Sequence, residues 1–123
     1  NIAALASMPM NSYIGDENWK QKFNENYGNA NYQPIDMAEG DSWCRAYFMY
    51  HPSNLENKKE LLRYLKKEIQ EATGKKMQLS SAFLYTNGFD YTYEIETKQN
   101  RITLSADDSV EYISISIEGN SDK

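Results

Sequence analysis

The sequence predicts an α+β fold: a four-stranded antiparallel C-terminal meander plus one earlier strand, packed on one long helix with a short N-terminal helix. Three observations predict it. Residues 42–52, SWCRAYFMYHP, form a short apolar run closed by Pro52. Residues 53–73 repeat apolar side chains at helical spacing. Beyond Gly74, apolar and polar residues alternate in short runs separated by turn residues.

Residues 1–15 read as irregular. The chain opens on Asn1, and NIAALAS reads as a vector-derived scar ahead of a start at Met8 or Met10, or as the start of a processed chain. Residues 16–123 read as a single α+β domain, since 123 residues is the size of one.

In GDENWKQKFNENYG, residues 15–28, Asp16 is a candidate helix N-cap and Gly28 a stop. Trp19, Phe23 and Tyr27 recur every four residues and make one aromatic stripe. The stripe reads as core cover; the alternative is a helix docked in a partner's groove. Residues 28–41 read as a polar connection, long for a compact domain.

In the strand at 42–52, Trp43, Tyr47 and Met49 point one way, and Cys44, Ala46, Phe48 and Tyr50 the other. Both faces are largely apolar, which predicts a strand covered on both sides. Ser53 and Glu56 then have capping-box spacing. Leu55, Leu62, Leu65, Ile69 and Ala72 form the long helix's apolar stripe, with Leu61 beside it, and Gly74 stops it. Lys58, Lys59, Arg63, Lys66 and Lys67, interleaved with Glu56, Glu60, Glu68 and Glu71, read as its solvated face.

The last four strands are MQLSSAFLYT (77–86), FDYTYEIET (89–97), RITLSA (101–106) and the run around YISISIE (112–118). A two-residue Asn87-Gly88 turn would put Phe83 and Tyr85 on one face with Asp90, Glu94 and Glu96, mixing both sides of the sheet. A three-residue loop, Thr86-Asn87-Gly88, with a G1 bulge sorts them. It pairs Tyr85 with Phe89, Phe83 with Tyr91, Ser81 with Tyr93 and Leu79 with Ile95. A turn at Gln99-Asn100 then sets Thr97 opposite Ile102 and Ile95 opposite Leu104. Ile113, Ile115 and Ile117 extend the core face, leaving Tyr112, Ser114, Ser116 and Glu118 outside, with Arg101 in reach of Glu118. The leucine stripe covers the apolar face, and the earlier strand joins through the long helix by a right-handed crossover. The result is a curved sheet of about five strands with helices on one side.

Catalytic sets are sparse. Cys44 and His51 lie seven residues apart on one strand, on opposite faces and ~23 Å apart, too far for a thiol–imidazole pair. One His and one Cys do not supply a zinc site. ADDSVE, with Asp107, Asp108 and Glu111, lacks the spacing of a calcium loop and reads as an acidic turn. No Gly-rich phosphate loop, GxSxG or HExxH is present. Glu94 and Glu96 share a face ~7 Å apart, a separation used in glycoside hydrolysis, but nothing in the sequence supplies the cleft. No cofactor is expected.

The charge, 13 − 18 = −5, argues against direct nucleic-acid or anionic-membrane binding. No apolar run approaches the ~20 residues that span a bilayer. The single Cys44 permits no internal disulfide and leans towards a reducing, cytoplasmic setting. By elimination, the leading expectation is a small acidic non-enzymatic protein-binding module: an inhibitor, immunity or accessory protein. Its Ser/Thr/Glu sheet face, with Asp90, Glu94, Glu96, Tyr112 and Glu118, would meet a basic partner. The alternative is a small-molecule-binding domain or weak enzyme, with a pocket between curved sheet and helix lined by Tyr91, Tyr93, Phe83 and Trp19. A third class is a structural or secreted component of an assembly, adding a partner strand to a free edge. The sequence sets no oligomeric state.

Overall fold

The computed structural model describes residues 2–27, 34–51, 55–85, 88–107 and 112–120. Among the described residues, four helices, α1 (Ile2–Ala6), α2 (Met10–Tyr13), α3 (Trp19–Tyr27) and α4 (Leu55–Thr73), accompany six strands. The strands are β1 (Asp36–Glu39), β2 (Trp43–Tyr50), β3 (Gln78–Tyr85), β4 (Gly88–Glu96), β5 (Arg101–Asp107) and β6 (Ile113–Asn120). They form one six-stranded sheet in the order β1-β2-β6-β5-β4-β3, every neighbouring pair antiparallel. The fold is therefore α+β, with the expected meander and long helix and one strand more than expected. That strand, β1, falls in the stretch read as a connection. Its four residues, DMAE, are too few and too polar to show a period.

One face of the sheet makes the core. Cys44, Ala46 and Phe48 of β2, Ile95 of β4, Ile102, Leu104 and Ala106 of β5, and Ile113, Ile115 and Ile117 of β6 are buried on it. Tyr91 and Tyr93 are half-buried against the same cluster. The inward side of β4–β6 is thus the aromatic and aliphatic one, as the alternation predicts. On β2 the sorting is sharper than expected: Trp43, Arg45, Tyr47 and Met49 stay half-exposed, so this strand is covered on one side, not two.

Residues 1–15 were expected to be irregular. Residues within them fold as α1 and α2 and bury Ile2, Leu5, Ala6, Met8, Met10 and Tyr13. Asn100, fully buried, donates from Nδ2 to the carbonyls of Ala6 (3.2 Å) and Met8 (2.7 Å). Asn11 donates its backbone N–H to Gln99 O (2.8 Å) and its side-chain amide to Lys98 O (2.9 Å), and Asn11 Oδ1 accepts from Asn120 N (3.0 Å). Polar bonds to distant chain segments, which no local pattern encodes, hold this segment in place.

The α3 stripe covers core. Trp19, Phe23 and Tyr27 are all buried, with Phe23 stacked on Tyr27 at 5.7 Å and Tyr27 tilted on Phe48 at 5.2 Å. Asp16 accepts from Asn18 N at 2.8 Å and from Lys22 Nζ, capping the turn into α3; the bonded Lys22 holds the Asp16 carboxyl below its ordinary range. Gly28 lies outside the described residues.

On α4, Leu62, Leu65 and Ile69 are buried as expected. Ala72 is exposed; the buried series continues to the half-buried Thr73, which donates to Ile69 O at 2.8 Å. Lys58, expected on the solvated face, is buried, and its ammonium donates to Asp107 O. It lies four residues before Leu62 and so on the buried stripe. The helix ends at Gly74, whose φ of +69° suits glycine and whose N–H reaches Gln70 O at 2.9 Å. Ser53 and the side chains of Leu55 and Glu56 lie outside the described residues.

Two registers differ from expectation. In β3–β4, Tyr85 pairs with Gly88, Leu84 with Phe89, Phe83 with Asp90 and Ala82 with Tyr91; a bulge at Ser80 then places Leu79 opposite Tyr93. Phe83 therefore lies on the outer face. The expected register assumed that β3 has a buried side. Here β3 is the sheet's edge, with Leu79 at 52% and Phe83 at 58% exposure, so burial does not select its register. Residues 86–87, the heart of the expected loop, lie outside the described residues. In β4–β5, Ile95 pairs with Ile102 and Glu96 with Arg101. Thr97 and Asn100 close the turn instead of pairing: Thr97 N–H donates to Asn100 O at 2.9 Å, and Gln99 and Asn100 N–H donate to Thr97 Oγ1, each at 3.2 Å. This shift preserves the faces.

Because all neighbouring strands are antiparallel, β2 and β3 run parallel, with three strands between them in the order, and α4 connects them. The earlier strand thus sits inside the sheet between β1 and β6.

Candidate functional site: the outer sheet face

α1 and α3 pack with each other, α1 packs on α4, α2 on β2 and β6, and α4 on β5. The outer face of the sheet is the side opposite the buried series. Cross-strand pairs lay it out in rows. One row runs Met49, Ser114, Ser105, Thr92 and Ser81. The next runs Tyr47, Ser116, Thr103, Glu94 and Gln78. The centre of the face is consequently a band of hydroxyls, in which Thr92 Oγ1 and Ser105 Oγ lie 3.2 Å apart.

Charge gathers at the two ends of the band. At one end lies the row Arg45, Glu118, Arg101 and Glu96. Arg101 Nη2 meets Glu96 Oε1 at 2.8 Å, and Nη1 lies 4.0 Å from Glu118 Oε1. The bonded Glu96 carboxylate holds the Arg101 guanidinium charged still more firmly than usual. The Arg45 guanidinium sits 5.4 Å from the Trp43 ring centroid. At the other end, Asp90 faces Asp107 across β4 and β5, and the Tyr112 ring meets His51 at 5.9 Å.

The five residues expected to form a binding face fall into two groups. Glu94, Glu96 and Glu118 lie towards the arginine row; Asp90 and Tyr112 lie near the opposite end. Tyr112 and Glu118 are six residues apart along one strand direction, ~20 Å. Glu94, Glu118, Asp90 and Tyr112 are half-buried among their neighbours and Glu96 is exposed. Beside the arginine row, Lys75, Lys76, Gln78, Glu94, Glu96 and Arg101 line a groove of about 230 Å³, with Lys75 Nζ donating to Glu96 O at 3.0 Å. The groove mixes both signs of charge and is open at the surface.

Other candidate chemistry does not assemble among the described residues. Cys44 is buried against Met10 O, Sγ to O 3.4 Å, and burial pushes its thiol up to about 11. His51 is exposed beyond the far end of the same strand, so no thiol–imidazole pair forms. Asp108 and Glu111 lie outside the described residues, and no group of three metal-ligating side chains occurs among those described. The four residues expected to line a pocket under the helix do not converge. Trp19 is buried against Phe23 at 6.4 Å, Tyr91 and Tyr93 are 6.5 Å apart on the inner face with Lys66 over Tyr93, and Phe83 is on the other side of the sheet.

Sequence reasoning missed Phe83 and Arg45 as outer-face groups. The available signal was β3 itself, QLSSAFLY, which has no charged residue to mark a solvent side. Comparisons with protein families, with curated proteins and with solved structures find no match to this chain.

Proposed function

We propose that this protein is a small acidic protein-binding module, and that the arginine-row end of its outer sheet face receives a basic partner. The observation that carries the reading is the disposition of Glu94, Glu96 and Glu118. Three carboxylates stand on one rigid sheet, on the side away from the buried core. Arg101 bonds Glu96, which orients its oxygens, and lies 4.0 Å from Glu118. No ion pair to Glu94 occurs among the described residues, and its row neighbours are Thr103 and Gln78. A partner Lys or Arg reaching Glu94 would find hydroxyl and amide groups beside it. With a net charge of −5, the chain would accelerate association with such a partner more than it would tighten the complex. Inhibitor, immunity and accessory proteins all belong to this class.

The test uses the full chain as bait in extracts of its native host, beside a Glu94→Lys/Glu96→Lys bait with the same thermal unfolding. A specific partner should be retained by the first and lost by the second, and its association rate should fall steeply with added salt. Equal capture by both baits, or a rate indifferent to salt, would remove the face from the proposal.

A further inference from the structure

We propose that β3 pairs antiparallel with β3 of a second copy of this chain, joining two sheets edge to edge. β3 is an edge strand, with no further strand paired to it among the described residues, and is eight residues long. Native edges are usually blunted by charge, proline or shortness, because a bare edge templates another strand. The other edge, β1, follows that rule: it has four residues and carries Asp36 and Glu39. β3 breaks it, with neither charge nor proline in QLSSAFLY; each of the other five strands carries at least one charged residue.

Two large apolar side chains of β3 stand in solvent, Leu79 on the helix side and Phe83 on the outer side. The bulge at Ser80 separates them and leaves residues 81–85 as the regular stretch for pairing.

The neutrality of β3 makes it the surface at which a second copy can dock. Two chains of net charge −5 repel at most surfaces, and the acidic outer face could not meet itself. A neutral strand can. Antiparallel pairing of one strand with its copy is isologous, so the same residues serve both sides and the contact closes on itself. The edges left over are the two short, charged β1 strands, which stops growth at two copies. The twofold axis lies across the sheet plane, so both outer faces look the same way and both Glu94 rows stay open.

The experiment is sedimentation equilibrium of the full chain from about 1 µM to about 1 mM, with Phe83→Lys and Leu79→Lys alongside. Both side chains are already exposed, so both variants should keep the far-UV circular dichroism and melting temperature of the parent chain. The parent chain should pass from monomer to dimer within the range. Phe83→Lys, at the centre of the 81–85 stretch, should raise the dissociation constant at least about tenfold, since like charges then face each other across the new ladder; Leu79→Lys, beyond the bulge, does not meet its own copy and should raise it less. A parent chain that stays monomeric throughout overturns the proposal. So does a dimer that Phe83→Lys leaves unchanged, or assembly that grows past two copies.

Discussion

Asn100→Ala removes the side chain that ties the N-terminal segment to the β4–β5 turn. Asn100 is fully buried. Its amide donates to Ala6 O and Met8 O, and its Oδ1 accepts from Thr97 Oγ1 at 3.1 Å. Truncation leaves both carbonyls facing a small dry gap. A buried acceptor stripped of its donor costs roughly 1–3 kcal/mol. The full penalty falls on Ala6 O. Met8 O keeps the N–H of Met10 at 2.9 Å and loses less. The sum is about 2–3 kcal/mol, a large share of the ~5–15 kcal/mol that holds a typical domain together. In urea, with a slope of roughly 1–3 kcal/mol per molar, the midpoint should fall by about 1–2 M, read by far-UV circular dichroism and by fluorescence of Trp19 and Trp43. Asn11→Ala is the comparison: it loses an exposed bond to Lys98 O, where water can replace the donor, and a part-buried one from Asn120 N, so the loss should be smaller, about 1–2 kcal/mol. A loss below ~1 kcal/mol for Asn100→Ala would mean that apolar packing of α1 and α2 alone fixes the segment, and the polar account would be wrong.

Gly119→Ala should be costly, because a Cβ there would lie 2.5 Å from Met10 O and 3.0 Å from Asn11 N, both backbone atoms. Overpacking of that kind costs about 1–3 kcal/mol, so a thermal melt should shift down by roughly 5–15 °C. Gly74→Ala meets no atom and should lose about 1 kcal/mol from its left-handed backbone alone. Cys44 should resist a thiol reagent at pH 8 in the native chain and react on unfolding. Its folded thiol titrates near 11 against an ordinary 9.0, so the unfolded chain ionises first. Its contribution to stability is therefore whole below pH 9 and lost as pH climbs towards 11. Unfolding measured across that window should show a steeper decline for the parent chain than for Cys44→Ala; parallel curves would contradict the buried thiol.

Legibility followed burial. The Ile113, Ile115 and Ile117 alternation and the Leu62, Leu65 and Ile69 stripe were readable because each side chain has one wet and one dry direction, and residue type records which. Glu94, Glu96 and Glu118 were assigned to the outer side by the same logic. β3 defeated it: at an uncovered edge, Phe83 and Leu79 are both exposed, and their apolar character no longer reports direction. Lys58 defeated it in the opposite sense, because its buried ammonium has an acceptor in Asp107 O, a partner 49 residues away.

Local periodicity in the sequence by itself determined the α+β class, the long helix and the inward side of β4–β6, since period and polarity are written residue by residue. The tertiary structure decided the strand order, the helices of the N-terminal segment, both hairpin registers and the splitting of the candidate face into two ends. Those depend on contacts between residues far apart in the chain. Asn100 with Met8 and Arg45 with Glu118 are instances, and their energies enter only once the sheet has brought them together.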